Sequence, residues 1–86
     1  MGIQQAVGQG SPSRYDDVTL IQGLLNKAIK KSVSLKAELA LLQEDGICKE
    51  KTINAIHQFQ RRIMLFQRTD GIVEPDRNTW KRLNNN

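Results

Sequence analysis

The sequence predicts an all-α fold with three helices, on three observations: two long stretches in which apolar residues recur with the helical period, a short third one near the end, and tight-turn residues between them. The first stretch begins behind Ser13, an expected N-cap, with Asp16 three residues on in a capping-box spacing. Val18, Ile21, Leu24, Leu25, Ala28 and Ile29 then repeat at about 3.6 residues and run into Lys30-Lys31, so a helix is expected over 14–30. Residues 32–44 leave a short helical turn and a connecting loop both open: Leu35, Leu39, Leu41 and Leu42 are apolar among good helix formers, with no strong stop before Asp45-Gly46. A second helix is expected over 50–64, with Ile53, Ile56, Phe59, Gln60, Ile63 and Met64 on one side and Asn54, Gln58, Arg61 and Arg62 mostly on the other. The chain then turns through Thr69-Asp70-Gly71 and Pro75-Asp76 into a short helix over 77–83 carrying Trp80 and Leu83 one turn apart, and Asn84-Asn85-Asn86 are expected to fray. Residues 1–12, rich in Gly, Gln and Ser, read as an N-terminal arm whose order depends on docking, leaving 13–84 as the domain proper.

Eighty-six residues allow a single small core. Hydrophobic residues at 38% against 26% charged are too many for a disordered tail, and no run approaches the roughly 20 apolar residues of a membrane span. A net charge of +4 suits an anionic partner: nucleic acid, an acidic surface or an anionic polymer. One cysteine, Cys48, excludes an internal disulfide, and with one histidine, His57, the count excludes zinc sites that need more than two Cys/His ligands; no metal or cofactor is expected. The first residues have neither a basic nor an apolar secretory region, so no signal peptide is expected, and Ala6 argues against N-myristoylation at Met1-Gly2.

Asp45-Gly46-Ile47 and Asp70-Gly71-Ile72 are the same tripeptide, each followed within ten residues by a threonine at a helix start, Thr52 and Thr79. An Asp-Gly pair makes a tight corner, because the carboxylate accepts backbone N–H bonds and glycine supplies a positive φ. The isoleucine is expected to point inward as an anchor, and the threonine hydroxyl to serve the first helical turn behind it. Residues 45–60 resemble the peptidoglycan-binding domain family of bacterial cell-wall proteins, whose pattern is D-G-x-x-G-P-x-T-x-x-A-[IV]-x-x-F-Q: Asp45, Gly46, Thr52, Ala55, Ile56, Phe59 and Gln60 match in register. Asp17-Val18-Thr19-Leu20-Ile21-Gln22-Gly23-Leu24-Leu25-Asn26 is similar to the family's first helix, D-V-x-x-[LV]-Q-x-L-L-N. Residues 70–84 are similar to the D-G-x-[IV]-D-P-G-G-x-T-[WL]-x-x-L-N ending of variants found beside cell-wall hydrolases.

The resemblance covers about residues 7–84 and implies a compact three-helix bundle, built as a pseudo-repeat, that holds a wall-degrading enzyme or a phage or secretion-system protein against murein. Such a chain, made in the cytoplasm, would reach the periplasm or wall by lysis, specialised secretion or fusion. Asp45, Gly46, Thr52, Phe59, Gln60, Asp70, Gly71, Thr79 and Trp80 are then its structural motif. Two departures stand out: Lys49-Glu50 replaces Gly-Pro and Asp76-Arg77 replaces Gly-Gly, which puts charges on loops bordering the expected ligand surface.

Asp45 and Asp70 read as turn residues rather than a glycosidase carboxylate pair, and the acidic residues around Glu44 lack the alternation of an EF-hand. Trp80, Phe59 and Phe66 read as core or boundary, His57 as an exposed lone histidine, and Cys48 as a small buried hydrophobe. Tyr15 is the better candidate for stacking on a sugar. The basic pairs Lys30-Lys31, Arg61-Arg62 and Lys81-Arg82 complement helix C-termini, and Arg61 and Arg62, with Lys49 and Arg77, are the candidate grips for stem-peptide carboxylates. The expected function is a non-catalytic peptidoglycan-binding module, against a protein-interaction adaptor on the same fold or a basic helical nucleic-acid binder.

Overall fold

The computed structural model describes residues 2–85. Met1 and Asn86, the outer ends of the expected arm and of the expected fraying tail, lie outside the described residues. The 17-residue helix α1 (Tyr15–Lys31) has Asp16 and Asp17 in its first turn and Lys30 and Lys31 in its last, charges that suit both ends of the helix dipole. It buries Val18, Ile21, Leu25, Ala28 and Ile29. Ser32, extended, closes α1 and opens α2 (Val33–Glu38), its Oγ accepting the Leu35 N–H at 3.2 Å. Helix α3 (Glu50–Arg62) buries Ala55, Ile56 and Phe59, and α4 (Asn78–Asn84) buries Trp80 and Leu83. Two short strands, β1 (Val7–Gly8) and β2 (Ile72–Val73), pair antiparallel with Val7 opposite Val73 and Gly8 opposite Ile72.

Among the described residues the fold is therefore mostly helical, as expected, with four helices and a two-strand ribbon; α2 and the ribbon are the elements beyond the expected three helices. α2 resolves the open stretch: six residues form a helix because Ser32 caps them and Leu35, fully buried, anchors them on the core. The ribbon exists because residues 2–12 dock. Ile3 and Val7 enter the same core as the helices, and both carboxylate oxygens of buried Asp17 accept arm amides, Gln4 N–H and Gln5 N–H, each at 3.0 Å.

Ser13 is not the N-cap of α1. Arg14 occupies that position without a side-chain cap, while Ser13 turns its hydroxyl to Gly8, accepting that residue's N–H at 3.1 Å. The arm outcompetes the helix end for this hydroxyl. Asn84 is helical and Asn85 caps α4, which corrects the expected fraying at these two residues. Asp17→Asn keeps the shape but faces one arm amide with an NH2 group. It is expected to cost about 1–3 kcal/mol, the penalty for an orphaned buried donor, and to raise hydrogen exchange at Gln4 and Gln5 above that of the helices.

Candidate functional site

The two Asp-Gly corners are each held by one buried glutamine. On α1, Gln22 Nε2 donates to Asp45 Oδ1 at 3.2 Å, the Ile47 carbonyl at 3.1 Å and Thr52 Oγ1 at 3.1 Å, while its Oε1 accepts the Gly46 N–H at 3.0 Å. On α3, Gln60 Nε2 donates to Asp70 Oδ1 at 2.8 Å, the Ile72 carbonyl at 3.2 Å and Thr79 Oγ1 at 3.2 Å, and its Oε1 accepts the Gly71 N–H at 3.0 Å. In each corner the two amide hydrogens are shared among three acceptors, and only a group that both donates and accepts completes the set. The aspartates close the turns, Asp45 Oδ1 accepting Ile47 N–H and Asp70 Oδ1 accepting Ile72 N–H, both at 3.0 Å. Gly46 at φ +73 and Gly71 at φ +69 supply the bend, and each is capped by a ring, Tyr15 over Gly46 and His57 over Gly71, where a Cβ would collide.

Asn26 makes a third staple, giving Nδ2 to the Leu42 carbonyl at 2.9 Å and to Glu44 Oε2 at 3.1 Å and accepting the Leu42 N–H at 2.7 Å. Asp17, Gln22 and Asn26, the polar residues of the first-helix motif, thus pin the arm, the first corner and the extended segment before it. Among the described residues no buried side-chain polar atom lacks a partner.

Two of the expected motif roles change. Ile47 is 50% exposed and not an inward anchor, whereas Ile72, with the same main-chain bonds in the second corner, is half-buried. Thr52 and Thr79 do not cap their helices; Lys49 and Arg77 are the N-caps, without side-chain bonds, and the hydroxyls face the glutamines instead. His57 is half-buried with Nδ1 2.6 Å from Thr69 Oγ1, so its ring is a lid on the second corner rather than a solvated side chain.

Each corner carries a cleft. The first, about 820 Å³, lies between the extended segment and the start of α3 and is lined by Gln22, Leu41, Leu42, Gln43, Asp45, Ile47, Lys49, Glu50, Lys51, Thr52 and Ile53. The second, about 380 Å³, is lined by Gln60, Phe66, Asp70, Ile72, Glu74, Asp76, Arg77, Asn78, Thr79 and Lys81. Of the candidate ligand residues, Lys49 lines the first and Arg77 the second. Tyr15 is exposed and lies on Gly46 but does not line the cleft. Arg61 is exposed on α3.

Arg62 is committed elsewhere: its Nη2 pairs with Glu38 Oε1 at 2.7 Å, and it also donates to Ser34 and Gln58, tying α3 to α2. With both partners partly exposed, Glu38→Gln is expected to change stability by less than about 1 kcal/mol, checked by urea unfolding.

Trp80 and Phe59 are buried, and Phe66 and Cys48 are half-buried. The residue whose role the sequence hid is Gln22: it matches the Q of the first-helix pattern and interrupts the apolar stripe between Val18 and Leu25, but neither signal displays its bonds to the first corner. The Ile47 N–H, and after it the Gln22 amide, hold the Asp45 carboxyl below its ordinary value of 3.8. A depressed folded-state pKa means this stabilisation is complete above the unfolded value near 3.8 and is lost as pH falls below it through the folded value. Asp45→Asn is therefore expected to flatten the acid limb of the stability profile in that window, read as urea midpoints.

Among the described residues no cluster of His, Cys, Asp or Glu is placed to hold a metal ion, and no helix is long and apolar enough to cross a membrane. No family model, no curated protein and no solved structure matches the chain.

Proposed function

We propose that the domain is a non-catalytic module that binds peptidoglycan and targets an associated protein to murein, with α1, α3 and α4 as the three helices of the peptidoglycan-binding pattern. The observation that carries this reading is the doubled corner: the residues of that pattern, Gln22 with Asp45, Gly46 and Thr52, and Gln60 with Asp70, Gly71 and Thr79, close into the same four-bond arrangement twice. At both departures the pattern's own residue would fit this backbone. Glu50, in place of proline, is the first residue of α3, where proline is favoured and an acid suits the dipole. Asp76, in place of glycine, stands at φ +59, the left-handed conformation a glycine would adopt without strain. A partner such as a cell-wall hydrolase or a phage or secretion-system protein would deliver the module to the wall.

The test is co-sedimentation with purified insoluble murein. Most of the protein is expected in the pellet at moderate salt; protein remaining in the supernatant contradicts the reading.

A further inference from the structure

Resting on the murein reading, we propose that the two corners, built alike, differ as sites: the first cleft takes the stem peptide of murein, a zwitterionic and partly apolar ligand, and the second is a structural copy that takes none. The first cleft is about twice the volume of the second, about 820 against 380 Å³. Its apolar surface is unusually open. Asn26 holds both main-chain groups of Leu42, and in an extended segment the neighbouring side chains then face the other way, leaving Leu41 54% exposed. Ile47, 50% exposed, and Ile53 of α3 line the same cleft.

Charge separates the clefts further. Lys49 and Lys51 face Glu50 and Asp45 at the first, two cations against two anions, a balanced set. Stem peptides carry free carboxylates, the amine of a diamino acid and small apolar side chains, which match both signs and the exposed leucine and isoleucine. The second cleft sets Glu74 and Asp76, with Asp70, against Arg77 and Lys81, an excess of anions that repels the same carboxylates. Its apolar members, Phe66 and Ile72, are half-buried. The first cleft has no aromatic side chain in its lining, Tyr15 lying outside it, and the second has only the half-buried Phe66.

The experiment is sedimentation of the full chain, at fixed ionic strength, with intact murein and with murein stripped of its stem peptides by an amidase. Wild type is expected to bind intact murein and to lose about tenfold or more in affinity on the stripped glycan. K49Q/K51Q is expected to weaken binding to intact murein about tenfold, and R77Q/K81Q to leave it within about twofold. All four side chains are exposed, and matching thermal melts establish that each variant is folded. Equal binding to stripped and intact murein overturns the inference, as does equal loss by both double variants; in either case the murein reading survives. Failure of wild type to bind intact murein overturns that reading and the inference with it.

Discussion

Gln60→Ala is expected to lose about 3–6 kcal/mol, most of the stability a domain of this size has. The substitution removes the donor that joins Asp70, the Ile72 carbonyl and Thr79, and it leaves the buried Gly71 N–H without an acceptor. Each lost bond is worth about 1 kcal/mol and the orphaned donor about 1–3 more. Gln60→Glu separates the hydrogen-bond account from simple packing. Its shape is conserved, but a carboxylate accepts without donating and would stand beside Asp70, so at neutral pH it is expected to be no better than alanine. Below about pH 4, where Glu regains one hydroxyl donor, part of the loss returns. Urea unfolding followed by helical signal measures both variants; a cost below about 1 kcal/mol for Gln60→Ala would sink the staple account.

Gly8→Ala is expected to cost about 3–5 kcal/mol, the range of severe backbone strain plus clash. Gly8 stands at φ +130 in β1, and a Cβ there would drive into the Gly71 carbonyl oxygen while lying 3.0 Å from the Gly71 carbonyl carbon and from Ile72 Cα. All three atoms are backbone, part of the second corner that Gln60 holds, so no rotamer change relieves the contact. Gly10→Ala is the internal control. Its φ is +69, but nothing lies within 4 Å of the added carbon, so only the backbone penalty of about 1 kcal/mol applies. Thermal unfolding of the pair separates the two contributions; equal losses would contradict the close approach of arm and corner.

The helices were legible where periodicity had length to act. α1 and α3 run 17 and 13 residues, and their buried faces follow the spacing of Val18, Ile21 and Leu25, and of Ile56 and Phe59. The Asp-Gly repeat was legible because both residue types act locally. What escaped was set by distant partners. A two-residue strand has no pattern, so the docking of Val7 against Val73 depends on Asp17 catching the arm, a contact made 12 and 13 residues away. Ser13 read as a cap because the local spacing allowed it, yet Gly8 claims its hydroxyl. Ile47 read as an anchor because isoleucine is apolar, whereas the corner uses only its main chain.

The candidate site divides the same way. Gln60 and Gln22 both fall in matched motifs, but Gln22 acts on partners 23 to 30 residues away, and no local pattern displays that pairing. Lys51 and Leu41, members of the first cleft, had no signal of their own, since an exposed lysine and an exposed leucine gain meaning only once Asn26 and the corner place them on one cleft. Arg62 shows the converse: an arginine attractive as a ligand grip already has Glu38 as its partner.

Recognition of murein by the first corner's cleft is read residue by residue in a backbone-amide NMR titration of the intact chain with a soluble muropeptide. The predicted result is saturable shifts concentrated at Leu41 to Gln43 and Ile47 to Ile53, with residues 74–81 unmoved. No shifts at any accessible concentration, or shifts centred on residues 74–81, would contradict it.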